Sequence, residues 1–471
     1  MIVLSSEPRI TEIVGISVSD KLKFSPFIYL VKANDAIILT NTFTRFFCVI
    51  DFVSAATIKP GEKVSDIIKE NLTEEEFDIW VKNRVVIDEN TDEFQVYLET
   101  YDFLDSFLSQ RKKIDRYNIL TSTGCNARCY YCFEEGYYPK AEHMSIDTAD
   151  KVAQYIIKTA DTNKKIYLRW FGGEPLINTK VIDYISLRLQ EAGIDFYSTI
   201  STNGLLCNKK FIESAKGLWR ISKVRITLDG WEEEHNRRKK FIGTQNAFSI
   251  ILKNIDDIVQ AGIIMIVRLS VDSTNYLSLL KLTQYLIDKY KGKSNFKIYA
   301  HCLHDDLSEK TFKNDPDKFQ TVNESRDKLT QMIMDAHMYD YERLQPDGFR
   351  MYLCAAQDPT KISITPSGGI CRCECLSNDK VTWGKVNSPI DNQEIYDYWH
   401  KNINTCRAKC KNCFMLPLCT PFSICPLDFI HCKSRFENTL KLNMIERYRR
   451  WKNGEDEIEL LDCIPVSIET I

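Results

Sequence analysis

The segment Cys125-Asn126-Ala127-Arg128-Cys129-Tyr130-Tyr131-Cys132 puts three thiols within eight residues. Thiolates from one short loop can ligate three irons of a 4Fe-4S cube. No fourth cysteine lies nearby, which leaves one iron with a coordination site open to a small molecule. A structural zinc site usually takes four ligands, commonly as two separated pairs, and this spacing fits that poorly. Reduced free thiols are the other alternative. A second group runs from Cys354 through Cys371, Cys373, Cys375, Cys406, Cys410, Cys413, Cys419 and Cys425 to Cys432. These ten thiols exceed what one four-thiolate centre needs, whereas two 4Fe-4S clusters need eight. Cys48, Cys207, Cys302 and Cys463 are scattered, and the odd total of 17 does not suit a fully paired disulfide framework.

The rest of the composition is that of a soluble globular chain of 471 residues, 44% apolar and 27% charged. That length implies two or three domains. A net charge of -3 gives no reason to expect a nucleic-acid or acidic-membrane partner. The opening MIVLSSEPRI lacks a basic segment followed by a long apolar one, and runs such as Ile263–Leu269 are far too short to cross a bilayer. The expectation is a cytoplasmic protein, with no membrane contact. In that reducing compartment clustered cysteines point to metal or redox chemistry.

Two textures flank the first thiol loop. Residues 1–112 read as a separate winged-helix-like module, with β-prone runs at Phe27–Leu30, Ala36–Thr40 and Phe46–Phe52 and a turn at Asn34–Asp35. Helical patterns follow at Glu62–Glu70 and Thr73–Asn83, the second opened by a Thr73/Glu76 capping box. The charged stretch Gln110–Arg116 reads as a linker. Over 113–301, strand-like runs (Tyr117–Thr121, Ile166–Phe171, Phe196–Ser201, Val224–Leu228, Ile264–Val271, Phe296–His301) alternate with helices near 145–160, 178–193, 208–217, 246–261 and 276–291. Such alternation argues for parallel βαβ units in an α/β fold, and periodicity alone does not separate an open sheet from a barrel. Gly172-Gly173-Glu174, Thr202-Asn203-Gly204 and Asp229-Gly230 fall just after strands, where sites form in such folds. Residues 302–350 read as a polar helical bridge. Residues 351–440 form a cysteine- and turn-rich domain with short strands at Lys361–Thr365 and Val381–Val386, of a kind that depends on metals for order. Residues 441–471 supply a last helix, continuing Leu440–Lys452, and a tail.

The Cys-x3-Cys-x2-Cys loop after the first strand resembles the signature of the radical S-adenosylmethionine (radical SAM) superfamily. The resemblance implies a partial (β/α)6 TIM-like barrel. It also implies chemistry in which S-adenosyl-L-methionine chelates the open iron and is cleaved by an electron from the cluster. The resulting 5′-deoxyadenosyl radical then abstracts a hydrogen atom. On this resemblance Cys125, Cys129 and Cys132 hold the catalytic cluster. Gly172, Gly173 and Glu174 meet the cofactor's amino group, Thr202 and Asn203 its ribose, and Arg268 its carboxylate. Asp229 matches the fourth-strand ending, and Phe133 lies near the adenine. Gly172–Pro175 and Asp229–Gly230 also read as ordinary turns, and Tyr130, Tyr131 and Phe133 as shields of the cluster from solvent.

The second cysteine group resembles the SPASM domain of peptide-modifying radical SAM enzymes. The resemblance rests on the Cys354…Gly368-Gly369-Ile370-Cys371 opening, the Trp383-Gly384 stretch and the Cys410-x2-Cys413-x5-Cys419 core. It implies two auxiliary clusters, the first held by Cys354, Cys371, one of Cys373 and Cys375, and Cys425. The second would use Cys410, Cys413, Cys419 and Cys432. Ser423 stands where the family often has a cysteine, which leaves the use of Cys425 open, as it does that of Cys406.

The wording of the loop, with Ile226-Thr227-Leu228-Asp229-Gly230, is similar to maturases of ribosomally made peptides. This implies a precursor peptide whose leader joins a sheet edge of the N-terminal module, and a small redox protein as electron donor. The product would carry a thioether or carbon–carbon cross-link, or an epimerised residue. Cys302, near the end of the sixth strand, is the lone cysteine placed to return a hydrogen atom, with packing as its bland role. The run Arg237-Arg238-Lys239-Lys240 reads as a solvated loop, with an acidic leader as its possible ligand. Two other functions fit less well: an anaerobic sulfatase-maturing enzyme, which needs no N-terminal module, and an iron–sulfur electron carrier, which needs no barrel.

Overall fold

The computed structural model describes residues 1–5, 21–33, 35–108, 113–132, 140–303, 306, 309–340, 355–374, 381–388, 390–400, 410–419 and 433–454. Phe133, Cys354, Cys375, Cys406, Cys425, Cys432 and Cys463 lie outside these residues. In the N-terminal region β1 (Ile2–Ser5), β3 (Ile28–Lys32), β4 (Ile37–Asn41) and β5 (Phe46–Ile50) form an antiparallel sheet in the order β1-β5-β4-β3. A two-stranded pair joins β2 (Leu22–Phe24) to β6 (Val86–Asp88). β5 stops at Ile50 because the Asp51 carboxylate accepts from Ser54 N at 2.7 Å and caps a helix, Phe52–Thr57. The Thr73/Glu76 capping box is present, both of its hydrogen bonds at 3.1 Å. Helix Glu93–Leu108 is an addition to the expected elements. Its stripe Tyr97, Tyr101, Leu104 has helical spacing, but the aromatic content reads as strand.

From residue 116 the chain alternates strand and helix. The strands are β7 (Arg116–Ser122), β8 (Ile166–Gly172), β9 (Phe196–Thr202), β10 (Ile221–Leu228), β11 (Ile264–Val271) and β12 (Phe296–Cys302), all parallel and in sequential spatial order. Such an order winds every crossover in one sense, so the helices gather on one face. Alternate strand residues, among them Ile119, Leu168, Ile200, Ile226, Val267 and Ile298, share one apolar core with those helices. This is the winding of a partial barrel rather than of a doubly wound sheet. Helix Pro316–Asp335, expected in a bridging segment, adds Phe319, Val322, Leu329 and Ile333 to the same core.

The strand residues between these core positions point the other way. They include all six cations of β7–β12: Arg116, Arg169, Lys223, Arg225, Arg268 and Lys297. No aspartate or glutamate occurs in any of the six strands. β13 (Lys361–Ile364) continues the sheet parallel to β7, and β14 (Gly369–Cys371) and β15 (Gly384–Lys385) extend it antiparallel. The segment Cys410–Cys419 and helix Lys433–Lys452 pack instead on the N-terminal region. There Met415, Leu418, Leu440 and Met444 meet Val31, Ile38 and Phe47, while Leu416 joins Phe27, Phe43 and Tyr97. Tyr29 stacks on Phe414 with ring centroids 4.3 Å apart.

Candidate active site

The three-thiol loop leaves the C-terminal end of β7, and its first turn is gripped by backbone from β8. Gly173 N donates to Ser122 O at 3.0 Å and Glu174 N to Gly124 O at 2.9 Å. Only glycine permits this approach. A Cβ on Gly173 would stand 2.5 Å from Thr123 O and 2.7 Å from Gly124 O, and one on Gly172, at φ +129°, would overlap the Ser122 carbonyl. The Glu174 side chain turns inward, fully buried, and accepts from Leu176 N, Thr202 Oγ1 and Asn203 N at 2.8–3.1 Å. Burial raises its pKa against those donors. Asn203 then reaches back to the loop, its Nδ2 donating to Asn126 Oδ1 at 2.6 Å and standing 3.9 Å from Cys125 Sγ. Gly172, Gly173, Glu174, Thr202 and Asn203 therefore form one connected support for Cys125.

The far half of the loop is held by charge. Tyr131 donates to Asp229 Oδ2 and Tyr130 to Asp272 Oδ2, each at 2.5 Å. Arg238 bridges Asp272 and Glu234, lies 3.9 Å from Asp229, and stands over the Tyr130 ring at 5.0 Å. Lys239 Nζ is 3.7 Å from Asp229 Oδ1 and 5.7 Å from the centre of the Tyr131 ring. Arg238 is 0% exposed and Lys239 5%, which corrects the expectation of a solvated basic loop at these two positions. They end helix Glu232–Lys239, which starts just beyond Asp229-Gly230 with three acids and finishes with three bases, matching its dipole. Burial alone would lower the Lys239 pKa, but Asp229, Tyr131 and Cys129 outweigh it and keep the ammonium charged. Burial likewise opposes ionisation of Asp272, yet Arg238, Tyr130 and Thr274 hold it down at about 2. Two buried carboxylates thus face two buried cations, and removing one partner would cost about 3–5 kcal/mol. Sequence reading missed Arg238, Lys239 and Asp272. The available signal was Asp272 directly after β11, as Asp229 directly follows β10.

Asp229 is fully buried with its carboxylate committed to this network. Arg268 projects from β11 on the face away from the helices, its Nη2 3.3 Å from His301 Nδ1. Cys302 points the opposite way, into the core, with Sγ 3.8 Å from Val322 O. Of the described C-terminal thiols, Cys371 is buried at the end of β14, its Sγ 3.6 Å from Ser363 O and 3.7 Å from Cys373 O. Cys410, Cys413 and Cys419 are partly buried on the turn and short helix beneath the N-terminal region. The two sets belong to different packing environments.

The donor chemistry of the loop fits an iron–sulfur group. Cys125, Cys129 and Cys132 are each partly buried, Cys125 Sγ accepts from Ala127 N at 3.4 Å, and the loop turns through Cys132 N to Cys129 O at 3.0 Å. Burial pushes Cys125 up to about 11 and raises Cys129, so metal binding would displace protons from both. Among the described residues no three His, Cys, Asp or Glu side chains already stand in ligating geometry. No helix of the described residues is long and apolar enough to cross a membrane.

Residues 119–272 match the Radical SAM superfamily. Among curated proteins, the chain is 24% identical over 314 residues to the GTP 3′,8-cyclase of Clostridium perfringens (strain 13 / Type A), covering 62% of this chain and 90% of the cyclase. It is 29% identical over 119 residues to the radical SAM cyclopropyl synthase TigE of Paramaledivibacter caminithermalis, covering 22% of this chain and 25% of TigE. Among solved structures, native anSMEcpe with bound AdoMet and Kp18Cys peptide superposes with a TM-score of 0.55 at 16% identity, over 72% of this chain and 99% of that one.

Proposed function

With a radical SAM domain spanning residues 119–272 as premise, we propose that the protein is a maturase of a ribosomally made peptide. It would abstract hydrogen from one residue of a bound precursor to form a thioether or carbon–carbon cross-link, or to invert that residue. The carrying observation is the clamped loop: Gly173, Glu174 and Asn203 fix its first half, and Asp229, Asp272, Arg238 and Lys239 its second. Cys125, Cys129 and Cys132 would hold the cluster, which with S-adenosyl-L-methionine supplies a 5′-deoxyadenosyl radical. Arg268 and the strand-end residues Gly172–Glu174, Thr202 and Asn203 would orient the cofactor, with Phe133 beside its adenine. The inner face of β7–β12 would receive the substrate. Cys354, Cys371, one of Cys373 and Cys375, and Cys425 would ligate one auxiliary cluster of a SPASM domain, and Cys410, Cys413, Cys419 and Cys432 a second. The N-terminal region would take the leader at a sheet edge, and a small redox protein would supply electrons in the cytoplasm.

The fold neighbour anSMEcpe, solved with a peptide, supports a barrel of this shape receiving one. Maturation of a sulfatase fits that neighbour as well, but leaves the N-terminal sheet without a role. Nucleotide cyclisation is the reading favoured by the cyclase relative. The experiment is anaerobic co-expression of this protein with short open reading frames beside its gene, followed by mass spectrometry. Loss of two hydrogen atoms from a peptide signifies a cross-link. Unchanged mass with deuterium taken up from heavy water signifies inversion. An unmodified peptide, with GTP consumed instead, would overturn the reading.

A further inference from the structure

The inner face of the sheet is charged in one sense, and the chain itself supplies a counter-ion from outside the barrel. Glu374, just beyond β14, forms an ion pair with Arg169 of β8. Arg169 Nη2 also stands 3.4 Å from Ser201 Oγ on β9. Arg225 of β10 pairs in register with Ser201, so Arg169 and Arg225 flank one polar position of β9. Arg169 and Glu374 are only 18% and 25% exposed at their side chains, so the pair is largely desolvated without being sealed. Nearer the C-terminal end of the strands, Arg268 carries a buried Nε with no hydrogen-bond acceptor among the described residues.

A guanidinium so placed must keep an anion. Removing a buried partner without a replacement leaves an uncompensated charge, whereas exchanging one carboxylate for another conserves the charge and its forked hydrogen bonds. An amide or apolar side chain entering the same space would leave Glu374 in place or leave the arginine unpaired. We propose that Arg169 and Arg225 form a carboxylate seat on the inner face of the barrel, which Glu374 occupies as a resident ligand and which an aspartate or glutamate side chain of the substrate peptide takes over. The proposal rests on the peptide reading and adds to it a specificity element: the modified segment carries an acid near the reacting residue. Glu374 then competes with the substrate for these arginines.

The test is selection of a random displayed peptide library on the reconstituted full-length protein, with wild type, Arg225→Gln and Glu374→Gln in parallel. Wild type is expected to enrich peptides with an acid at one fixed position, and their Glu-to-Gln counterparts to bind at least tenfold more weakly. Arg225→Gln should lose that preference, and Glu374→Gln should bind the acidic peptides at least threefold more tightly because its resident competitor is gone. Enrichment without an acid, or no gain in Glu374→Gln, overturns the seat while leaving the peptide reading intact. No enriched peptide at all overturns both. A fluorescent GTP analogue bound by wild type and lost in Arg225→Gln would assign the arginines to phosphate and overturn the peptide carboxylate. Should Arg225→Gln fail to fold, Glu374→Gln alone decides, because a merely structural ion pair predicts no gain in affinity on its removal.

Discussion

The two cysteine regions are ordered by different balances of force. The Cys125–Cys132 loop is held by short polar contacts and buried charges supplied by β8, β9, β10 and β11. The Cys410–Cys419 segment is held mainly by apolar burial, with Met415, Leu416 and Leu418 set into the N-terminal sheet and helices, and Thr42 donating to Phe414 O and an exposed Lys411–Asp92 pair at its margin. Charge and hydrogen-bond geometry fix directions, while apolar contact fixes position and tolerates adjustment. A loop whose three thiols must converge on one cluster while leaving room for a ligand needs direction. A segment anchored through its helix needs only a complementary surface.

The comparison can be broken at several points. The largest effect is expected from Cys125→Ala, which should abolish both the iron of this loop and 5′-deoxyadenosine formation; iron analysis and product chromatography read the two together, and retained cleavage would remove the loop from the chemistry. Next is Lys239→Met, which removes the nearer of Asp229's two cations, leaves Arg238 at 3.9 Å, and should destabilise the barrel by about 3 kcal/mol. If the folded variant takes up its cluster, the reduction potential should fall, because a cation near Cys129 favours the reduced state; an unchanged potential in electron paramagnetic resonance titration would make the lysine purely structural. Leu416→Ala should cost about 3 kcal/mol, confined to the N-terminal region and visible as faster amide hydrogen exchange in β3 and β4, with the barrel unchanged. Exchange rising equally in both would dissolve the distinction drawn between them. The smallest effect concerns His235, fully buried beside Asp229, whose pKa burial lowers from 6.5 to about 3. Between those values the unfolded histidine binds a proton and the folded one does not. Its contribution is therefore complete above pH 6.5 and falls by about 1.4 kcal/mol per pH unit below it. Urea unfolding of His235→Gln at pH 7 and pH 5.5 should show the gap to wild type narrowing by roughly that amount.

Local signals were legible where one residue type dictates one outcome. Thr73 and Glu76 meet as a capping box, six apolar runs become six parallel strands, and Gly172 and Gly173 are the strand-end positions where backbone meets backbone. What stayed hidden depends on positions distant in sequence. Nothing local marks Arg238 and Lys239 as buried, because their acids Asp229 and Asp272 come from separate strands and their aromatic partners from the loop. A run of four bases looks solvated until the carboxylates that neutralise it are found. The Arg169–Glu374 pair spans 205 residues and was equally invisible. The choice between sheet and barrel followed only from spatial strand order.

The cover of the N-terminal sheet has a consequence for the order of synthesis. Tyr29 on β3 hydrogen-bonds Glu437, 408 residues later, and the same late helix buries Val31, Ile38 and Phe47. Domains generally fold as they emerge from the ribosome, N-terminal first. Here this sheet keeps an apolar face bare until the chain has been made as far as Leu440 and Met444. During translation that face is open apolar surface until helix Lys433–Lys452 closes it.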